Sequence, residues 1–259
     1  MLFDTHAHLD DEQLADVASE VIEDARAHDV NHVLTVSTTL ASCYRSVRLC
    51  ETFSEVWAAV GIHPNSCHQT NLQQWKEIRE LTNHPRVVAV GETGLDGYWD
   101  FCPMDLQREY FLRHIELSHQ SGLPFIVHMR ECEPEMLETL ASSKDGDGRL
   151  NGIMHSFCGS QQAADTCLDW GMHISFAGMV TYKKNDELRA IATTIPDDRL
   201  LIETDSPYLS PHPVRGRRPN TPAQVRHTLQ CLADARQVSF EELAAITTGN
   251  ALRLFQINA

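Results

Sequence analysis

No stretch of this chain approaches the roughly 18 consecutive apolar residues that a membrane-crossing helix requires. Its start, MLFDTHAHLD, has neither basic residues nor an apolar run of signal-peptide length. A cytoplasmic protein without a membrane partner is expected. No C-x-x-C pair occurs among the eight cysteines, at 43, 50, 67, 102, 132, 158, 167 and 231, which excludes a zinc ribbon and a thioredoxin-type motif. They read as small buried apolar residues in a reducing compartment. Positive charge is scarce: 21 Lys and Arg stand against 36 Asp and Glu, a formal net charge of −15. The broad basic surface by which sequence-independent nucleic-acid binders neutralise phosphates is therefore missing. Attraction to a polyanion must be local, from bound cations and a few basic side chains in one cleft. No low-complexity tract, linker or charge run divides the 259 residues, so a single domain over 1–259 is expected, a length that suits one α/β barrel.

What the chain does contain is a repeat. Short runs rich in Val, Ile, Phe and Leu recur at roughly thirty-residue intervals, each followed by helical periodicity. Eight strands are predicted: Leu2–Leu9, His32–Val36, Val56–His63, Val87–Glu92, Pro124–His128, Gly152–Ser156, His173–Phe176 and Leu200–Asp205. Amphipathic segments such as Asp11–His28, Leu72–Leu81, Leu106–Ser121 and Ser160–Trp170 are predicted to form an outer helical ring. Ala223–Ala235 and Ser239–Phe255 also read as helices, with Ser239 ahead of Glu241 and Glu242 as an N-terminal cap. Eight units predict an α/β fold, a (β/α)8 TIM barrel, although strand counting alone leaves an open doubly wound sheet standing. In a barrel, functional side chains gather at the C-terminal strand ends.

Those ends carry an unusual set of side chains. His6 and His8 are two apart, so both point to one face of the first strand. Glu92 follows VVAV, His128 follows PFIV, His155 follows GIM and Asp205 ends LLIETD. One buried carboxylate or imidazole can be compensated locally, but six pointing at one spot require a cation or a shared ligand. Imidazole and carboxylate donors suit zinc, manganese or magnesium, and the absence of thiolates argues against a structural zinc. Six donors exceed the three that one open catalytic zinc uses, so two divalent ions roughly 3.5–4 Å apart are the economical arrangement, with Glu92 as the bridge.

DTHAHLD, GIHP, GETGLD, VHMR, MHSF and ETDSPYL, in this order, resemble the TatD family of metal-dependent deoxyribonucleases, in the amidohydrolase-like barrel superfamily, over almost the whole chain. The resemblance implies that His6, His8, Glu92 and Asp205 hold one ion, that Glu92, His128 and His155 hold the second, and that Asp205 is also the general base. It implies hydrolysis of DNA phosphodiester bonds by a metal-activated water, in the 3′-to-5′ direction. A deep barrel mouth with little stacking surface suits strand ends, so exonuclease action on single-stranded DNA is expected, with no protein partner implied. Three departures from the usual wording, Ser156 in place of a Cys, ECEP after Arg130 and GYWD after GETGLD, bear on substrate preference.

His63 reads either as a contact to substrate phosphate or as a hydrogen-bonding and helix-entry residue beside Pro64. Glu203 and Asp4, two residues before Asp205 and His6, are expected one layer deeper, orienting ligands. Arg130, Lys183, Lys184, Arg215, Arg217 and Arg218 fall near strand C-terminal ends of an otherwise acidic chain, as a phosphate backbone would need. Tyr98, Trp99, Phe101 and Tyr208 are available to stack on bases, whereas Trp57, Trp75 and Trp170 are assigned to the core or its rim. Two other readings stand beside the nuclease. A metal-dependent amide, ester or lactone hydrolase keeps the ions but has no use for the cationic loops, and a non-catalytic scaffold leaves the polar cluster without a purpose.

Overall fold

The structure, a computed structural model, describes residues 1–258. Strands and helices alternate: β1 (Leu2–Ala7), α1 (Ala18–Ala27), β2 (Val30–Val36), α2 (Leu40–Thr52), β3 (Val56–Val60), α3 (Leu72–Leu81), β4 (Val87–Asp96), α4 (Met104–Ser121), β5 (Phe125–Arg130), α5 (Glu133–Ser142), β6 (Gly152–Met154), α6 (Gln161–Asp169), β7 (His173–Phe176), α7 (Asp186–Thr194) and β8 (Leu200–Ile202), followed by α8 (Val225–Arg236) and α9 (Phe240–Leu254). The strands pair in chain order from β1 to β8, every ladder parallel. At the remaining seam, Ala7 pairs in parallel with Ser206. Two backbone hydrogen bonds close it, from Asp205 N to His6 O at 2.8 Å and from His8 N to Ser206 O at 2.6 Å. The expected (β/α)8 barrel is the fold, and the sequential strand order excludes the doubly wound sheet.

Hydrophobic periodicity accounts for the ring. In α2 the buried residues Ser42, Cys43, Ser46, Val47 and Cys50 recur at three- and four-residue steps and form one inward stripe. Ser239 caps α9 by accepting a hydrogen bond from Glu242 N, which satisfies one of the unpaired donors of the first turn. Helix α3 has the expected bounds, while the first helix begins only at Ala18, after turns at Asp11 and a short 3-10 segment at Ala15–Val17.

The barrel interior divides into an apolar floor and a polar top. Val88, Ile126, Ile153 and Leu201, earlier on the strands that lead to Glu92, His128, His155 and Asp205, form one buried cluster. They pack with Phe3, Leu34, Val36 and Ala59 and with Ala251, Phe255 and Ile257. Helix α9 lies against the strand starts, where Thr248 Oγ1 donates to Met1 O and Asn250 Nδ2 donates to Leu200 O. Burying a side chain such as Phe255 stabilises by about 1.5–3 kcal/mol, which fixes the floor above which the polar residues stand.

Six strand ends differ from the expected ones: β1, β3, β6 and β8 stop two or three residues short, and β4 and β5 run on. β8 stops at Ile202 because Thr204 N is taken by the buried carboxylate of Asp4 at 2.8 Å instead of a ladder partner. Three residues on, Asp205 adopts φ +54°, a left-handed conformation that Asp tolerates better than most residues. β4 runs past Glu92 to Asp96 and stays fully buried, so four residues expected in a loop belong to the sheet.

Candidate metal centre

The end of β1, the middle of β4 and the segment just after β8 bring four donor atoms together. His6 Nε2 lies 3.3 Å from His8 Nε2, 3.5 Å from Glu92 Oε2 and 3.9 Å from Asp205 Oδ1. His8 Nε2 lies 3.6 Å from the same Glu92 oxygen and 3.5 Å from Asp205 Oδ1. Donors about 2.0–2.1 Å from a tetrahedral ion are separated from one another by about 3.3–3.4 Å. The five separations cluster near that edge length, so this donor set fits a divalent cation.

Glu92 turns its other oxygen to a second group. Oε1 lies 2.8 Å from His128 Nδ1, 2.9 Å from His155 Nε2 and 3.7 Å from His63 Nε2. The carboxylate is 2% exposed and offers one oxygen to each cluster, as a bridging ligand must.

The far side of each ring decides what its near side can do. His8 Nδ1 is 2.8 Å from the Val36 carbonyl, to which it donates, so in the neutral ring Nε2 carries the lone pair. His155 Nδ1 donates to Glu203 Oε1 at 3.1 Å, and Nε2 again is the free donor atom. His128 is reversed: Nε2 donates to Asp96 Oδ2 at 3.1 Å, and Nδ1 faces the cluster. His63 does the opposite of all three. Its Nδ1 accepts from Asn65 N at 3.1 Å, which puts the proton on Nε2 and makes the inward atom a hydrogen-bond donor. Its atoms fall within 4.8 Å of those of Glu92 and His128, a spacing that by itself would admit a third ligand, but the proton on Nε2 argues against ligation. His6 Nδ1 is buried with no hydrogen-bond partner among the described residues.

Electrostatics follow the same division. Burial disfavours charge on Glu92, but His155, His63 and the hydrogen bonds from His128 and His155 hold its carboxyl well below the ordinary range. Asp205 is held down, against burial, by the His8 hydrogen bond and the charges of His155, His6 and His8. Burial lowers His8, yet Asp205 and Glu92 together raise it to about 9. His155 and His128 are raised, against burial, by their carboxylate partners, while burial depresses His63 to about 3 and keeps it neutral. A divalent cation competes with protons for these nitrogens, so its affinity must rise with pH.

The cleft above the cluster, about 630 Å³, is lined by His8, His63, Glu92, His128, His155 and Asp205 together with Asn65, Trp99, Arg130, Tyr208 and Arg218. Of the predicted phosphate contacts, Arg130 and Arg218 reach it. Arg215 lies apart, its guanidinium 4.0 Å from the Tyr182 ring, in a pocket shared with Lys183, Lys184 and His212. Arg217 lines neither cavity. Glu203 orients His155, but Asp4 holds Thr204 through its nitrogen and hydroxyl and leaves the His6 ring alone. Asp96 was not singled out from sequence, yet it fixes His128, accepts from Asn65 Nδ2 at 3.0 Å and is itself clasped by Gln107. The available signal is its position four residues after Glu92 in one strand, on the same face. His114, also missed, accepts from Ile62 N at 3.0 Å and so fixes the backbone entering His63.

A protein-family model described as TatD related DNase matches residues 3–256. An uncharacterized metal-dependent hydrolase, YabD of Bacillus subtilis (strain 168), is 41% identical over 258 residues, covering 100% of both chains. The 3'-5' ssDNA/RNA exonuclease TatD of Cronobacter turicensis is 34% identical over 263 residues, covering 100% of this chain and 99% of its own. Among solved structures, YJJV, a TatD homolog from Escherichia coli K12, superposes with a TM-score of 0.91 at 25% identity, covering 99% of this chain and 98% of its own. An organophosphorus hydrolase variant from Deinococcus radiodurans shares the fold alone, with a TM-score of 0.66 at 16% identity over 98% of this chain and 92% of its own.

Proposed function

The chain belongs to the TatD-related DNase family of metal-dependent hydrolases, and from that premise we propose that it is a deoxyribonuclease. It removes nucleotides from single-stranded DNA ends, 3′ to 5′, by phosphodiester hydrolysis. His6, His8, Glu92 and Asp205 would hold one divalent ion, and Glu92, His128 and His155 a second, the metal being magnesium, manganese or zinc. Bound there, the ions supply Lewis acidity and neutralise phosphate charge.

The chain's own residues do the rest. Asp205 is kept ionised by His8 and its neighbours, and its carboxylate accepts the proton of the attacking water. His63, neutral and protonated on Nε2, donates into the cleft to a phosphate oxygen. Arg130 and Arg218 meet the flanking backbone at the cleft, and Arg215 with Lys183 and Lys184 continues the cationic path beyond it. Arg217 carries no role in this reading. The observation that carries it is the set of four converging donor atoms of His6, His8, Glu92 and Asp205, 3.3–3.9 Å apart, beside a second group in which partners on the far side of His128 and His155 turn their inner nitrogens to Glu92.

The test is degradation of 5′-labelled single-stranded DNA, with RNA in parallel, by chelator-treated protein resupplied with magnesium, manganese or zinc. Metal-dependent laddering that Glu92→Ala lacks is the expected result. Metal binding with both nucleic acids left intact overturns the reading and leaves an amide, ester or lactone hydrolase.

A further inference from the structure

Three large aromatic side chains stand within four residues of the loop between β4 and α4. Tyr98, Trp99 and Phe101 are 48%, 43% and 57% exposed. Scattered exposed aromatics need no explanation, whereas a contiguous group marks a binding surface. The three are ordered on one another. Trp99 and Phe101 stack at 5.2 Å between ring centres and 18° between planes, and Tyr98 meets Trp99 edge-on at 4.7 Å. The Arg130 guanidinium covers Tyr98 at 3.9 Å and lies 5.8 Å from the Trp99 ring.

This turn is fastened to the metal centre by one buried carboxylate. Asp96 Oδ1 accepts from the backbone nitrogens of Tyr98 at 2.9 Å and Trp99 at 3.1 Å. Its other oxygen accepts from His128 Nε2 at 3.1 Å and Asn65 Nδ2 at 3.0 Å. The group that aims His128 therefore also sets the aromatic turn, and Trp99 lines the same cleft as His8, Glu92, His128, His155 and Asp205. A packing role would bury these rings. Their exposure calls for a flat partner with a π face, and the neighbouring Arg130 calls for an anion attached to it. A nucleobase on its phosphodiester backbone has both.

We propose that the Tyr98–Trp99–Phe101 turn is a stacking platform for an unpaired nucleobase next to the scissile phosphate, with Trp99 as the principal face. The inference rests on the nuclease reading and adds to it the reason for single-strand preference, since a duplex hides its base faces within its own stack. The sequence of the base is not read, because every base has a π face.

The test compares calorimetric binding of hexathymidylate with that of an abasic deoxyribose-phosphate hexamer of equal charge, in chelator to prevent turnover. The wild-type protein is expected to hold the thymidine strand roughly 5- to 150-fold more tightly, the range for one stacked base. Trp99→Ala should abolish that preference while leaving abasic binding in place, and Trp99→Phe should restore most of it. Equal affinity of the wild-type protein for the two strands overturns the platform. So does a preference that survives Trp99→Ala. In either case metal-dependent cleavage of DNA would leave the nuclease reading intact, whereas a wild-type protein that neither binds nor cleaves either strand overturns both.

Discussion

Replacing Gly94 by alanine tests whether the backbone of β4 fixes His128. Gly94 pairs in register with His128 and has φ +134°. A Cβ built there would lie 2.1 Å from the His128 carbonyl oxygen and 2.9 Å from its nitrogen. Ordinary contact begins at 3.4 Å, so β5 must retreat by about 1.3 Å. The backbone conformation adds a cost of about 1–2 kcal/mol, and overpacking about 1–3 kcal/mol. At roughly 2–4 °C per kcal/mol for a chain of this size, Tm should fall by roughly 4–20 °C. A displacement of about 1 Å at a reacting centre lowers kcat by about 100-fold. Gly122→Ala is the control, because Gly122 has φ +72° and nothing within 4 Å of its Cβ; it should cost about 1 kcal/mol and leave kcat unchanged. Turnover on single-stranded DNA, metal content per chain and thermal unfolding are measured on both variants. If Gly94→Ala keeps wild-type turnover and metal content, differing from Gly122→Ala in nothing, the claim that β4 positions His128 is wrong.

Further outcomes follow from the same geometry. The raised pKa of His8 stabilises the chelated protein fully below about 6.5, and the contribution disappears as pH rises through about 9. Its share is about 3 kcal/mol, so Tm in chelator should fall across pH 6.5–9, while a saturating divalent ion should flatten the slope; parallel slopes with and without metal would refute this. His63→Ala should lower kcat/KM about 100- to 1,000-fold with metal content unchanged, and elemental analysis that finds a lost ion would make His63 a ligand instead of a donor. Asp96→Ala should weaken metal binding about 10- to 100-fold and also shift the emission of Trp99. An intact emission spectrum would show that Asp96 does not hold the aromatic turn.

Much of the barrel was legible because each strand is a short apolar run and each of the named helices keeps a three- and four-residue stripe. His173–Phe176 and Leu72–Leu81 have their expected bounds. The converging residues were legible for a different reason: charged or imidazole side chains at the ends of apolar strands have no comfortable place unless they meet. What sequence could not supply is the partner on the far side of each ring. Asp96 lay hidden because β4 was expected to stop at Glu92, yet the strand continues buried through Thr93, Gly94 and Leu95. Asp4 pairs with Thr204, a residue 200 positions away, so the early end of β8 depends on a contact no local pattern contains. The basic residues separated for a similar reason, since the loop after β8 doubles back and sends Arg215 and Arg218 to different cavities.

The seam between β1 and β8 carries a mechanical consequence. Every other strand pair is joined by a ladder, but here one bridge at Ala7 and Ser206, two short backbone bonds and the side-chain bonds of Asp4 to Thr204 and of Thr5 to Ile202 close the ring. His6 and His8 stand on one lip and Asp205 on the other. A cation held among them would act as a rivet through a hoop, and its removal is expected to loosen this gap before the rest of the wall. The amides of His8 and Asp205, both engaged across that gap, become the gauge of whether the rivet is in place, their exchange with solvent speeding up as soon as it is drawn.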